Sequence, residues 1–165
     1  MAVTIRDMTA NDWATVRSIY LAGIATGQAT FETEPPNWAD WNQTHLPAAR
    51  LVAVSAGLIA GWSALSHVSK RAAYAGVAEV SVYVDENMRG RGVGSLLLAA
   101  LVTQSESVGI WTLQASIFPE NVASISLHKA CGFREVGTRR RIGKLKDVWR
   151  DTVLLERRSE AVGHD

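Results

Sequence analysis

Cysteine is almost missing from this 165-residue chain: Cys131 stands alone, which excludes an internal disulfide framework and a cysteine-rich metal site and fits a reducing compartment. An excess of charge of one sign is missing too. Seventeen Lys and Arg against sixteen Asp and Glu leave a formal net charge of +1, without the domain-wide basic surface that a nucleic-acid partner requires. No apolar run approaches the ~18 residues of a membrane span, and Met1-Ala-Val-Thr-Ile-Arg-Asp7 shows no charged leader followed by an apolar core. The expectation is a cytoplasmic protein with neither a nucleic-acid nor a membrane partner. His45, His67 and His164 have no ligand spacing, so no metal site is expected. Internal repeats and low-complexity tracts are also absent.

What is present is apolar residue in quantity. At 47% hydrophobic content, 165 residues suffice for one well-buried domain, expected over residues 1–158, with 159–165 a flexible tail. Val3 to Arg6 alternates as a strand, and Thr9 or Asn11 can cap a helix carrying Trp13, Val16, Ile19, Tyr20 and Ile24. Asn37 can cap a second helix through Trp38 and Trp41 to His45. Leu51 to Ser55 and Leu58 to Ser66 read as a hairpin turning at Ala56-Gly57, and Ala75 to Val84 as a third strand. Val93, Leu96, Leu97, Ala100 and Leu101 recur at helical spacing. Trp111 to Ile117 is a strand, Asn121 to Cys131 a helix closed by Gly132, and Phe133 to Ile142 and Lys146 to Leu155 the last two strands. This order, β α α β β β α β α β β, predicts an α/β (α+β) fold with about four helices flanking a mixed, mostly antiparallel sheet of about seven strands.

The densest signal runs from Ala78 to Gly94. A strand, Ala-Glu-Val-Ser-Val-Tyr-Val84, is followed by a polar turn, the loop Arg89-Gly-Arg-Gly-Val-Gly94 and the Ser95-Leu-Leu-Leu helix. Such a loop aims unpaired backbone N–H groups and the positive end of a helix dipole at one point, a site for an anion such as a pyrophosphate. Glycines at 90, 92 and 94, with no Lys-Ser or Lys-Thr after them, fit neither the dinucleotide fingerprint nor the P-loop. They fit R-x-x-G-x-G, through Arg89, Gly92 and Gly94.

That pattern resembles the acetyl-coenzyme A loop of the GNAT family of N-acetyltransferases. Further segments are similar to one branch of it, the phosphinothricin and methionine sulfone or sulfoximine N-acetyltransferases. They are Thr30-Phe-Glu-Thr-Glu-Pro35, Arg71-Ala-Ala-Tyr74, Ala78 to Val84, Asn121 to Phe133 (Asn-x-x-Ser-x-x-Leu-His-x-x-x-Gly-Phe) and Lys144 to Asp151 (Lys-x-x-x-x-Trp-x-Asp). Together they span nearly the whole chain in order. The resemblance implies the GNAT fold, acetyl-CoA as acetyl donor, a small amino-acid-like acceptor and a homodimer completed near Trp149 and Asp151.

Amine acetylation needs a proton acceptor, stabilisation of an oxyanion and a proton for the leaving thiolate. Glu79 is the lone carboxylate of a Val-rich strand, costly there unless it faces a cleft. The resemblance makes it the general base, acting directly or through water. The resemblance also sets Val82, Tyr83 and Val84 along the pantetheine arm, where a bulge splays the strand. It wraps Arg89, Gly90, Arg91, Gly92, Val93, Gly94 and Ser95 around the pyrophosphate. Asn121 suits a helix N-cap, a coenzyme contact, or both. His128 stands where many relatives place the tyrosine that protonates the thiolate, a task an imidazole can perform; a structural histidine is the alternative. Lys129 is a coenzyme-phosphate contact or part of a solvated face.

For the acceptor, Arg is the side chain that clamps a carboxylate in two places. Arg71 and Lys70, where the resemblance places substrate contacts, are the candidates; an exposed basic loop is the alternative. Phe31 and Trp149 could wall the pocket beside Glu79, Val80 and Ser81. Glu32 departs from the pattern: phosphinothricin enzymes carry Arg there, which puts that herbicide in doubt as substrate. Arg139-Arg-Arg141, Lys144 and Lys146 lack interleaved aromatics and read as charged outer strand faces. The acceptor is therefore expected to be methionine sulfone, methionine sulfoximine or a relative; a polyamine, an aminoglycoside, a protein N-terminus or a non-catalytic coenzyme-binding role are the other readings.

Overall fold

A computed structural model describes residues 2–165. The elements are β1 (Val3–Asp7), α1 (Trp13–Ala25), α2 (Trp38–Thr44), β2 (Leu51–Ser55), β3 (Leu58–His67), β4 (Val77–Val84), α3 (Val93–Ser107), β5 (Thr112–Ile117), α4 (Val122–Ala130), β6 (Arg134–Leu145) and β7 (Val148–Arg158), with three 3₁₀ turns between them. The expected order of strands and helices is the observed one. One seven-stranded sheet runs β1-β2-β3-β4-β5-β7-β6. Every adjacent pair is antiparallel except β4 and β5, which are joined by the α3 crossover.

The parallel pair is short, and that shapes the molecule. β4 and β5 are in register only at Val77–Thr112, Ala78–Leu113 and Glu79–Gln114. Beyond Glu79, β4 continues to Val84 paired with β3 alone, and β5 continues to Ile117 paired with β7 alone. The sheet forks there. The bulge implied by resemblance does not appear as a register shift, since β4 stays in step with β3 from Ala78 to Val84; the opening comes from divergence on the β5 side.

Two apolar clusters hold the fork. α3 buries Val93, Leu97, Leu98 and Leu101 against Leu51, Ala53, Leu65, Val80, Leu113 and Leu155. Its buried face is turned slightly from the expected one: Leu96 is exposed and Leu98 is inside. On the other side of the sheet, α1 and α2 bring Val16, Ile19, Tyr20 and Trp41 onto Val52, Trp62 and Ala64. Asn37 caps α2 as expected, accepting from Asp40 N at 2.9 Å. The α1 entry is tied by buried Asp12, which accepts from Thr9 N at 2.8 Å and takes both terminal nitrogens of Arg6 at 2.8 and 2.9 Å.

Two boundaries differ from expectation. The last hairpin does not break near Gly143 but turns at Lys146 and Asp147, both at positive φ (48° and 66°) as a two-residue connection requires. Gly143 instead lies in β6, where the pairing shifts register between Arg139 and Gly143 and Arg141 takes φ 50°. The stretch expected as a tail folds back: Ser159 is buried, its N–H donates to Trp111 O at 2.8 Å, and Arg158 donates to Val162 O at 3.0 Å and to Gly163 O.

Candidate active site

The fork opens into two adjoining cavities. The first, about 310 Å³, is walled by Glu79 to Tyr83 of β4 and Ala115 to Phe118 at the end of β5, roofed by Ala29 to Glu32, and closed by Asn121, Ser124, His128 and Thr152. The second, about 560 Å³, runs from Val82, Tyr83 and Val84 past Met88, Arg89, Gly90 and Gly92 to the first turn of α3 and over Ala123 and Leu127 of α4. Ala29, Val82, Tyr83, Asn121 and Ser124 line both, so the cavities meet at the end of β4.

The glycines of the second cavity serve different needs. Gly90 and Gly92 sit at φ 73° and 81°, where a side chain is strained, and an added Cβ at either would point into open space. Gly92 is the residue before α3, so the first N–H groups of that helix are aimed outward from a loop without side chains at its turns. Gly94 lies close to α4: a Cβ there would come within 3.1 Å of Leu127 Cδ2, a tight contact. Arg89 lines the cavity. Arg91 and Lys129 are exposed and line neither cavity.

In the first cavity, Glu79 sits at the crotch of the fork, half-buried. Its Oε1 accepts from Gln114 Nε2 at 3.1 Å and from Ser116 Oγ at 3.4 Å. Both donors come from β5, at its pairing position and two residues on, so the divergence of the strands itself positions the carboxylate. Gln114 and Ser116 carry no motif signal and were not legible as site residues.

His128 is buried on α4, its ring edge-on to Phe133. Its Nδ1 lies 2.7 Å from the Ser124 carbonyl oxygen, which can only accept, so Nδ1 carries a proton and Nε2 is the open ring nitrogen. Burial pushes its pKa below the usual imidazole value, partly offset by that hydrogen bond. The neutral ring is the favoured form. Asn121 holds two positions at once: Oδ1 accepts from Ser124 N at 3.3 Å as the cap of α4, and Nδ2 donates to Gln28 O at 3.2 Å across the cleft.

Tyr83 lies stacked on Trp62, 4.9 Å between centroids, and against Tyr20, also at 4.9 Å. Burial drives its hydroxyl pKa well up, and that of Tyr20 to about 12, so both remain protonated. Phe31 meets Phe118 edge-on at 4.9 Å and fixes the roof. Arg150, which sequence reasoning missed, reaches from β7 to donate to Gly27 O and Gln28 Oε1, each at 3.0 Å, and to pair with Glu120 at 3.3 Å.

Three expected acceptor contacts lie outside the cavity lining of the single chain. Lys70 and Arg71 are exposed and outside the cavity lining, the Arg71 guanidinium lying 5.5 Å over the Tyr74 ring. Trp149 is exposed on β7 and packs under Lys144 and Arg141, again outside the lining. Arg71 and Trp149 each make a cation–π contact on their own loop or hairpin, Arg71 over Tyr74 and Trp149 under Lys144 and Arg141.

The profile described as "Acetyltransferase (GNAT) family" matches residues 13–133. The chain belongs to the GNAT acetyltransferase family. It is 34% identical to a phosphinothricin N-acetyltransferase of Alcaligenes faecalis, over 94% of this chain and 82% of that protein. It is 28% identical to an L-methionine sulfoximine/L-methionine sulfone acetyltransferase of Pseudomonas aeruginosa, over 94% of each. Among solved structures, a GNAT phosphinothricin acetyltransferase from Sinorhizobium meliloti in complex with acetyl-CoA superposes with a TM-score of 0.83, at 29% identity, covering all of this chain and 97% of that one. This GNAT protein is accordingly an acetyl-CoA-dependent N-acetyltransferase. Among the described residues no helix is long and apolar enough to cross a membrane.

Proposed function

We propose that this enzyme transfers an acetyl group to the primary amine of a small amino acid or analogue, by direct attack while donor and acceptor are bound together. The observation that carries this reading is the junction of the two cavities at Val82 and Tyr83, with Glu79 in one and the glycine loop at the far end of the other. The relatives named for amino-acid analogues support the acceptor class.

The donor cavity suits a long thioester with an anionic end. Gly90 and Gly92 leave room for phosphate oxygens at the N-terminus of α3, and the β5-facing edge of Val82 to Val84 has no strand partner. Acetyl-CoA supplies an activated acyl group there. The remaining work belongs to the protein. An amine reaches the site as ammonium and must lose a proton before it can act as a nucleophile. Glu79, with Oε1 held by Gln114 and Ser116, keeps its other oxygen available to take that proton, directly or through water. His128 is a second proton site: with Nδ1 fixed on Ser124, only Nε2 can exchange. From ammonium to amide the nitrogen gives up two protons: one balances the departing thiolate and the other leaves to solvent by way of Glu79. Nε2 of the neutral ring carries no proton, so His128 passes one to the thiolate only after taking one from the attacking nitrogen.

The test is free-thiol release from acetyl-CoA with methionine sulfone, methionine sulfoximine, phosphinothricin, polyamines and a peptide amine. Turnover of amino-acid analogues is expected. Thiol release confined to polyamines or the peptide would replace this acceptor class with another, and silence with coenzyme still bound would favour a binding module.

A further inference from the structure

The acceptor cavity carries two carboxylates and no cation. Of its lining residues only Glu32, Glu79, Tyr83 and His128 can ionise; Tyr83 stays protonated in its aromatic stack and His128 favours the neutral form. Arg71 lies over Tyr74, and Arg150 is held by Gly27, Gln28 and Glu120. Glu79 has a task, receiving the proton of the reacting amine. Glu32 has none in the reaction, and no ion pair among the described residues involves it. Its backbone is fixed on the roof by the Thr30 hydroxyl, which accepts from Glu32 N at 3.1 Å.

We propose that Glu32 is a specificity residue and that the preferred acceptor bears, besides the amine to be acetylated, a second cationic group that pairs with it. This rests on the acetyltransferase reading above. Both carboxylates attract a cation in this cavity, so a ligand with two cationic groups can pair with each, whereas an acceptor ending in an anion meets only like charge. A monoamine with a neutral side chain leaves Glu32 without a counter-charge. The second cation could belong to a diamino acid or to a plain diamine; the same carboxylate serves either.

The experiment compares kcat/KM for ornithine, putrescine, methionine sulfone and phosphinothricin in the wild type, Glu32→Gln and Glu32→Arg. Calorimetric titration of ornithine into each protein in the presence of coenzyme A runs alongside. The expected wild-type order places a dication first and phosphinothricin last. Glu32→Gln should cut the ratio of the dication to methionine sulfone roughly fivefold, as KM, since an exposed ion pair contributes up to about 1 kcal/mol. Glu32→Arg should move phosphinothricin ahead of the dications. Ornithine ahead of putrescine identifies a diamino acid, and the reverse a diamine. Preference of the wild type for methionine sulfone or phosphinothricin, or a ratio untouched by Glu32→Gln, overturns the proposal. Should no amine be turned over, the acetyltransferase reading for small acceptors fails, and the titration alone decides: weaker ornithine binding in Glu32→Gln sustains the role of Glu32, and equal binding removes it.

Discussion

The Arg150 guanidinium lies 4.0 Å above the ring of Phe118, while its nitrogens hold the Gly27 carbonyl and the Gln28 side chain. One side chain of β7 thus ties the roof loop to the end of β5, and Asn121 repeats the tie from the other lip through Gln28 O. The Arg150 side chain is only 15% exposed, and its bond to the Gly27 carbonyl is the part-buried one of the set. Arg150→Met should keep the apolar stem while releasing the loop, raising KM for acceptor and donor together with a smaller change in kcat. Arg150→Lys should recover part of the loss. A drop in kcat alone would show that the latch does not set the cleft. The stability cost should be about 1–3 kcal/mol, read by thermal unfolding.

Glu79→Gln conserves shape and the contact to Ser116 while removing the proton acceptor. Turnover should fall by about 10²–10⁴, the usual weight of a positioned acid or base. Coenzyme titration should give the wild-type affinity, because Glu79 lines only the first cavity. Loss of coenzyme affinity instead would mean that the fork itself had closed.

At the loop, Gly92→Ala places its Cβ in open space but at φ 81°, so the penalty is backbone strain of about 1–2 kcal/mol. Gly94→Ala meets Leu127 at 3.1 Å at a residue inside α3. The two should separate by readout. Gly92→Ala should weaken coenzyme binding more than it lowers the melting temperature, and Gly94→Ala should shift α4, lowering the melting temperature and disturbing the His128 pocket.

Most of the fold was legible because its signals are local. Asn37 and Asn121 are caps, Gly132 closes α4 at φ 91°, and the Gly-rich loop opens α3, each decided within a turn of chain. The donor end of the site belongs to the same class. The acceptor end does not. Arg150 works on Gly27 and Gln28, over 120 positions away, and Gln114 and Ser116 act on Glu79 only because β5 happens to end its pairing there. Neither relation leaves a spacing in the sequence. Arg71 and Trp149 lie outside the cavity lining of the single chain, each beside an aromatic or cationic neighbour a few positions away. The strand bounds expected at Ile142 and Lys146 leave the last turn between them, yet the positive φ values that turn the chain belong to Lys146 and Asp147.

Two histidines, His128 buried and His45 half-buried, give the protein an acid-sensitive stability. His45 lies stacked on Trp41 at 4.2 Å with Nδ1 2.8 Å from the Trp41 carbonyl, and His128 is fixed likewise on Ser124. Burial pushes both pKa values down, with Arg50 adding to the effect at His45. Between the lowered folded value and the ordinary value near 6.5, the unfolded chain binds protons that the native state does not, so stability rises with pH across that window. The contribution is fully present above about pH 6.5 and is lost as pH falls through the folded pKa values. Asp12, held below the usual carboxylate range mainly by its hydrogen bond from Arg6, adds a second loss only below about pH 4. Unfolding midpoints measured from pH 8 to pH 5 should therefore be flat at first and then decline. His45→Gln, remote from both cavities, should lower the midpoint at pH 8 through lost stacking while reducing the slope between pH 6.5 and 5. A slope unchanged by His45→Gln, and again by His128→Gln, would show that neither imidazole is the neutral group the fold requires.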